Sequence, residues 1–269
     1  MTSSAQNGTI SVLIHGATGR MGAETVRAVS AAADLHLVGA TCHTPRGDTL
    51  PTPAGEVPLS TDLASLLDAT NPDVMVEFTH ADACMVAAPL AADRGIHMVL
   101  GASGLNAQQL QELDTMSREH GVGIIVAPNF ALGAVVLKRL AEQAAAFFDY
   151  VDVVEAHHEM KIDSPSGFSM AIARGMRDQR DSDFQRNETT VHHLPETRGG
   201  DIGGAGIHSL RLPGRSAHHE VIFGAAGQTL SIRHDTLGRD CYMPGVLRCV
   251  REVVNRPGLT VGLETVLGL

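Results

Sequence analysis

The sequence predicts an α/β protein in which an N-terminal Rossmann-type parallel sheet is followed by an α+β domain with an open mixed sheet. Two observations predict the first part. A glycine-rich turn directly follows the first apolar strand, and apolar strands then alternate with helical segments to about Asn129. A third observation predicts the second part, because short strands follow one another after Asn129 with few helices between them.

The first strand, at 11–15, leads into a glycine-rich turn at 16–22 and then into an alanine-rich helix that we expect to reach about residue 33. The glycines permit a tight turn, a close approach to a pyrophosphate and packing of the helix on the sheet. Because the turn directly follows the first strand, it predicts a dinucleotide site; a plain strand-turn-helix is the alternative. The cofactor-binding residues expected here are Gly16, Ala17, Thr18, Gly19, Arg20 and Met21.

The second strand, at 35–41, ends without the carboxylate that commonly binds the ribose hydroxyls of NAD. Arg46 follows it, and a cation there suits the 2′-phosphate of NADP. The alternative is that Arg46 merely lies in a Pro/Gly-rich loop at 45–58. We therefore expect NADPH, NADH or both as cofactor.

Three further strands are predicted at 73–78, 96–100 and 123–126, with helices near 81–94 and 106–120. Ligands of such sheets bind beyond the carboxyl ends of the strands, so the residues after these strands become cofactor-binding candidates. They are Phe78, Thr79, Gly101, Ala102, Ser103, Ala127, Pro128, Asn129 and Phe130.

The second domain is predicted to begin with a helix at about 132–148 and a strand that ends near His157. A glycine-rich segment at 199–206 and strands near 207–212, 217–224 and 228–234 follow, and a final helix at about 244–255 is expected to return to the first domain. We therefore expect a dinucleotide-binding domain at 1–129, completed by about 241–269, and a second domain at 130–240.

The run from residue 155 to residue 167 concentrates proton donors and cations on a turn that opens a helix. Ser164 is the expected N-cap and Pro165 the expected first helical residue. The backbone N–H groups of Ser166 and Gly167 would then be free to bind a carboxylate or phosphate. The alternative is a polar surface turn whose histidines are incidental.

A zinc site is the first competing hypothesis for this run, and the sequence argues against it. Adjacent residues on an extended chain point to opposite faces, so His157 and His158 are poorly placed to ligate one ion. Ile162 stands where a His-Glu-x-x-His helix needs its second histidine. We therefore expect no metal.

Composition excludes several classes of function. A formal net charge of −10 argues against nucleic acid as a partner, and no apolar run is long enough to cross a membrane. The polar start at residues 1–4 lacks the apolar region of a signal peptide, and the four cysteines have no Cys-x-x-Cys spacing. We therefore expect a cytoplasmic protein with reduced cysteines.

The run at 155–167 resembles the E-x-H-H-x-x-K-x-D-[AS]-P-S-G motif of 4-hydroxy-tetrahydrodipicolinate reductases, also called dihydrodipicolinate reductases. The resemblance continues through the turns at 16–22, 101–104 and 127–130 and the late run 221–244. It implies NAD(P)H-dependent reduction of 4-hydroxy-tetrahydrodipicolinate, a small dicarboxylate, in diaminopimelate and lysine biosynthesis. It also implies a homotetramer built through the substrate domain.

The resemblance further implies that His157 is the general acid and Lys161 its partner in proton delivery. The substrate carboxylate would be held by His158, Ser166 and Gly167. Phe168 joins this substrate-binding set, but it departs from the family, which has threonine there, and Ala131 stands where the family has serine. Two other hypotheses therefore remain: a paralogous reductase for a different cyclic imine or enoate, and a non-catalytic dinucleotide-binding protein.

Overall fold

The computed structural model describes residues 8–44, 46–195 and 197–269, so the polar start of the chain and Pro45 lie outside the described residues. The chain forms two compact units, one up to Phe130 together with Tyr242–Leu269 and the other Ala131–Cys241. The elements in chain order are β1 (Ile10–His15), α1 (Arg20–Ala31), β2 (Leu35–Thr41), β3 (Thr49–Thr52), β4 (Gly55–Ser60), α2 (Leu63–Thr70), β5 (Val74–Glu77), α3 (Ala81–Ala92), β6 (His97–Leu100), α4 (Ala107–His120), β7 (Gly123–Val126), α5 (Leu132–Ala145), β8 (Tyr150–His157), α6 (Gly167–Asp178), β9 (Gly200–Ile202), β10 (Ala205–Arg211), β11 (Ala217–Ala225), β12 (Gln228–Thr236), α7 (Met243–Val253), β13 (Gly258–Val261) and α8 (Leu263–Leu267).

The first unit contains an eight-stranded sheet in the order β13-β7-β6-β5-β1-β2-β4-β3. Its strands pair in parallel except for β3 and β4, which form an antiparallel hairpin. This confirms the predicted Rossmann-type sheet. From β1 the chain first adds β2, β3 and β4 on one side of that strand, and it then crosses over to add β5 on the other side. Ligands of such sheets bind where the strand order reverses in this way.

Helices cover both faces of this sheet because its strands are apolar on both sides. Helices α2, α3 and α4 pack on one face, where Leu13, Met75 and Leu113 are buried in a common core. Helices α1 and α7 contact each other, and α7 contacts β5, β6 and β7. Both faces of the central strands are therefore removed from water.

The predicted loop at 45–58 is wrong, because most of this segment forms the β3–β4 hairpin. Residues of β4 alternate between buried and exposed, with Val57 and Leu59 buried. Pro51 is tolerated because β3 is the edge strand of the sheet. In the turn, the Thr52 hydroxyl donates to the Gly55 carbonyl at 2.7 Å.

The second unit contains a five-stranded sheet in the order β12-β11-β8-β10-β9. Strands β8 and β10 are parallel and the other neighbours are antiparallel, which confirms the predicted open mixed sheet. Helices α5 and α6 pack on one face, where Val153, Ile172 and Phe223 are fully buried.

The predicted start of the helix after His157 is wrong by two residues. Helix α6 begins at Gly167, and its N-cap is Ser166, whose hydroxyl accepts a hydrogen bond from the Ser169 N–H at 3.1 Å. The Ser166 N–H is not free, since it donates to Oε1 of the buried Glu155 at 3.3 Å. A serine three residues before Ser169 can cap the first turn, whereas Ser164 lies too early to reach it.

Across the part of the chain that the structure describes, none of the helices combines the length and apolar character needed to cross a membrane.

Candidate functional site

The glycine-rich turn after β1 touches the loop after β5. Gly16 has a φ of +84°, and a Cβ atom there would lie 2.9 Å from the Thr79 methyl group and 3.1 Å from the Phe78 carbonyl oxygen. A Cβ atom on Gly22 would lie 2.1 Å from the Gly16 carbonyl oxygen. Both positions therefore require glycine, and the two loops meet at the reversal of strand order.

The turn presents the start of α1 to a ligand. Gly19 is the N-cap and provides no side-chain cap, so the backbone N–H groups of the first helical turn lack an intrahelical partner. The Ala17 N–H donates to the Thr41 carbonyl at 2.9 Å, and the Thr41 hydroxyl bonds His15 Nδ1 at 2.6 Å, which fixes the turn to β2. A close-approach turn with free N–H groups fits a pyrophosphate.

Two further strand ends join this cradle. A Cβ atom on Gly101 would lie 2.2 Å from the Phe78 ring, and the rings of Phe78 and Phe130 meet edge to face with centroids 5.7 Å apart. The Ala127 N–H donates to the Leu100 carbonyl at 3.1 Å. The structure thus brings Gly16, Phe78, Thr79, Gly101 and Phe130 together at the carboxyl ends of the strands.

The remaining cofactor candidates differ in exposure. Ala17 and Ala102 are buried and pack against their neighbours. Arg46 is exposed between β2 and β3, and no described hydrogen bond joins it to the glycine-rich turn. Thr18, Met21 and Asn129 are half-buried, and Arg20, Ser103 and Pro128 are exposed.

Glu77, at the end of β5, is a site residue that sequence analysis missed. It is fully buried, and its Oε1 accepts hydrogen bonds from the N–H and the hydroxyl of Thr79. Burial raises the pKa of the Glu77 carboxyl, although these hydrogen bonds act in the opposite direction. Glu77 therefore orders the loop that contacts Gly16.

In the second unit, His157 lies buried at the end of β8. Its Nδ1 bonds the carboxylate of Glu155, which faces the same side of the strand. Arg211 of β10 bonds both oxygens of that carboxylate, at 2.8 and 2.9 Å. Burial opposes ionisation of Glu155, but the hydrogen bonds from His157 and Arg211 outweigh it and hold the pKa of Glu155 well below its usual range.

His219 and Phe168 extend the site as a series of rings. The His219 ring lies edge to face with His157 at 5.4 Å and with Phe168 at 5.0 Å between centroids. Burial, reinforced by the nearby His157, lowers the pKa of His219 to about 4, so its ring is neutral at pH 7. Phe168 also packs against the core of the unit, where its ring takes part in folding as well as in the site.

The loop from residue 158 to residue 166 contains the other predicted residues. Lys161 Nζ pairs with Asp163 at 2.7 Å, and the Lys161 N–H donates to the His158 carbonyl at 3.1 Å. His158 and Gly167 are exposed, and Ser166 is buried. The structure therefore joins His157, Ser166 and Phe168 through Glu155 and His219, whereas Lys161 is paired within its own loop.

Sequence analysis missed the roles of Glu155, Arg211 and His219. Glu155 could have been found, since residues two apart on a strand share a face. Strand pairing brings Arg211 and His219 to the site, because Arg211 pairs with His157 and His219 pairs with Glu155. Over the described ranges, no group of three or more His, Cys, Asp and Glu side chains could hold a metal ion.

Comparison with known proteins agrees with this architecture. The family models "Dihydrodipicolinate reductase, N-terminus" and "Dihydrodipicolinate reductase, C-terminus" match residues 10–130 and 133–267. The 4-hydroxy-tetrahydrodipicolinate reductase of Dehalococcoides mccartyi is 43% identical over 262 residues, covering 97% of this chain and 99% of that protein. That of Mycobacterium marinum is 40% identical over 255 residues, with 94% and 97% covered.

A solved structure of dihydrodipicolinate reductase from Paenisporosarcina sp. TG-14, with dipicolinate bound, superposes with a TM-score of 0.86. It is 35% identical to this chain, with 96% of this chain and 99% of the other covered. An amine dehydrogenase from Mycobacterium smegmatis shares the fold at a TM-score of 0.62 and 14% identity.

The nucleotide cradle and the histidine site define a nicotinamide-nucleotide-dependent oxidoreductase with a Rossmann-type unit. The residues of the cradle fit NADH or NADPH. The chain belongs to the dihydrodipicolinate reductase family. The predicted family and fold class are confirmed, and the comparisons give no support to a non-catalytic role or a different substrate.

Proposed function

We propose that the chain uses NADH or NADPH to reduce 4-hydroxy-tetrahydrodipicolinate to tetrahydrodipicolinate, a step of diaminopimelate and lysine biosynthesis. The observation that carries this proposal is the buried His157, whose Nδ1 is engaged by a carboxylate while its Nε2 is left for a substrate. The related protein from Paenisporosarcina binds dipicolinate, a pyridine dicarboxylate of similar shape.

The 4-hydroxyl of the substrate must leave as water to give a conjugated imine, and a bound nicotinamide would supply a hydride to the electrophilic end of that imine. The substrate then carries an enamine-like negative charge that requires a proton, and His157 donates it. The Lys161 cation stabilises the developing charge and binds one carboxylate, which requires it to leave Asp163. The N–H groups of Gly167 and Phe168, in the first turn of α6, bind a carboxylate together with His158.

The residues of the first unit bind and orient the nucleotide. The turn at Gly16 and the N-terminus of α1 receive the pyrophosphate, and the loops at Thr79 and Gly101 border the cradle. Ser103 and the segment from Ala127 to Phe130 complete the proposed cofactor edge. In this proposal Arg46 provides the cation for a 2′-phosphate.

The test is turnover on substrate generated by the preceding synthase. His157→Gln and Lys161→Ala should each lower turnover by about 10²–10⁴-fold, the range for a lost acid–base group, with cofactor affinity nearly unchanged. His192→Gln, at an exposed histidine, and Lys138→Ala, at the other lysine of the chain, serve as matched controls. Near-normal turnover in both site variants would contradict the mechanism.

We also propose that the chain assembles as a homotetramer through the face of the second sheet opposite α5 and α6. Strand alternation places Val154, Ala156 and Leu210 on that face, where Leu210 is 43% exposed. They line a cavity of about 140 Å³ beside an Arg233–Asp235 ion pair. Light scattering should give four chain masses, falling for Leu210→Glu but not for Phe147→Glu on exposed surface.

The proposal includes a cytoplasmic location. The cysteines are all free, which suits a reducing compartment. Cell fractionation with an antibody to the chain tests this.

A further inference from the structure

Glu155 is a fully buried carboxylate beside the proton donor of the proposed reaction. A buried carboxylate is strongly destabilising unless its charge and its oxygen lone pairs are matched by partners. Glu155 lies two residues before His157 on the same strand, so its burial must be explained by the groups that it contacts.

The contacts of Glu155 are complete. Its Oε2 bonds His157 Nδ1 and accepts a hydrogen bond from Arg211 Nη1 at 2.9 Å. Its Oε1 accepts from Arg211 Nη2 at 2.8 Å and from the Ser166 N–H at 3.3 Å. The carboxylate is thus held by His157, Arg211 and Ser166 from three different segments, and the Ser209 side chain adds a further hydrogen bond that favours its ionised form.

Arg211 connects this carboxylate to the active-site loop. Its Nη2 also donates to the Asp163 carbonyl at 2.7 Å, and its Nη1 donates to the Leu210 carbonyl at 2.7 Å. The planar guanidinium therefore fixes the loop containing Lys161 with the same group that clamps Glu155.

We propose that Glu155, clamped by Arg211, is a positioning residue for His157: it fixes the ring with Nδ1–H directed at the carboxylate and Nε2 available to the substrate. The inference rests on the proposed role of His157 as proton donor.

The charges around His157 support this assignment. The near oxygen of Glu155 contacts the ring directly, while the Arg211 charge lies beyond the carboxylate and serves to keep it ionised. His219 on β11 is neutral at pH 7 and adds no repulsion. Lys161 is compensated by Asp163 within the loop. An imidazolium at His157 therefore meets one close negative group.

The decisive variant is Glu155→Gln, which keeps the shape of the side chain and removes its charge. We expect kcat to fall by about 10²-fold or more, with KM within about threefold and cofactor affinity unchanged. Arg211→Lys, which keeps the charge but loses the two-pronged clamp, should lower kcat by less, again with KM and cofactor affinity nearly unchanged.

Glu142→Gln is the matched control, since Glu142 is also a buried glutamate of this unit, paired with Lys138 and Arg139 and without a contact to His157. A wild-type kcat in Glu155→Gln, with a loss of melting temperature like that of Glu142→Gln, would overturn the proposal. If Glu155→Gln fails to fold, a wild-type kcat in Arg211→Lys overturns it. His157→Gln is measured alongside to separate a failure of the positioning role from a failure of the proposed function. Normal turnover in His157→Gln would rule out His157 itself as the proton donor.

Discussion

Phe168 is the residue at which this chain departs from its family within the active-site helix. The structure gives it two contacts, an edge-to-face contact with His219 and packing on the core of the second unit. A threonine would offer a hydroxyl to the substrate carboxylate, which phenylalanine cannot. The chain therefore combines a gain in packing with the loss of a donor.

Phe168→Thr should lower KM for 4-hydroxy-tetrahydrodipicolinate, by about tenfold or more, because a hydrogen bond to a charged group contributes about 1.5–3 kcal/mol. It should also lower the melting temperature, since part of an aromatic ring leaves the core. Phe148→Thr, at another partly buried aromatic on the same core, should cost stability without improving KM. If the wild type is strongly active and Phe168→Thr is less active, the phenylalanine ring is compatible with binding of this substrate.

His219 makes the stability of the protein depend on pH. Its folded-state pKa is about 4 against an ordinary value of 6.5, so between these pH values the unfolded chain binds a proton that the folded chain does not. The free energy of unfolding therefore declines as pH falls from about 6.5 to about 4. Phenylalanine at 219 keeps the ring contacts and lacks this titration.

The free energy of unfolding of His219→Phe, relative to that of the wild type, should increase by about 3 kcal/mol as the pH falls from about 7 to about 4. Denaturant unfolding of both proteins across that range measures the difference. A constant difference at all pH values would show that the His219 ring has the same pKa in the folded and unfolded chain.

At the scale of elements, sequence analysis predicted the parallel strands and their helices because the apolar segments are regular and the first glycine turn is distinctive. It missed β3 and β4, since Pro51 and Gly55 indicate a loop and only pairing at the sheet edge overrides them. It also missed α2, whose N-cap Asp62 accepts from the Ser65 N–H at 3.1 Å. The candidate-site residues that are contiguous in the sequence were predicted, and those that strand pairing brings together were missed.

The end of β2 determines the cofactor prediction. No carboxylate follows this strand before Arg46, so we expect NADPH to bind at least as well as NADH. Arg46→Ala should weaken NADPH about threefold to tenfold and leave NADH unchanged, whereas Arg118→Ala on exposed α4 should change neither. Titration of both cofactors measures this, and a clear NADH preference in the wild type would contradict it.

At the scale of the whole molecule, the first unit is built from both ends of the chain. Helix α7 buries Val246, Val250 and Val253 against the sheet and α1, and β13 adds the edge strand beside β7. The sequence of the second unit is continuous from Ala131 to Cys241.

A chain truncated after residue 241 should therefore lose NADPH binding, while the fragment 131–241 keeps its helices and sheet by circular dichroism. In the full chain, Val250→Asp should reproduce the loss of NADPH binding, because a buried charge without a partner costs several kcal/mol. Arg248→Ala, on the exposed side of the same helix, should not. Cofactor binding by the truncated chain would show that α7 and β13 are dispensable.

This arrangement sets an order of events on the ribosome. Strands β1 to β7 emerge first, but the face that α7 covers stays open until the intervening Ala131–Cys241 has been translated, roughly 5–20 s at ordinary elongation rates. The second unit has its whole sequence by then and can fold before the first. A nascent chain can therefore complete the sheet that contains His157 before α7 covers the sheet that contains β1.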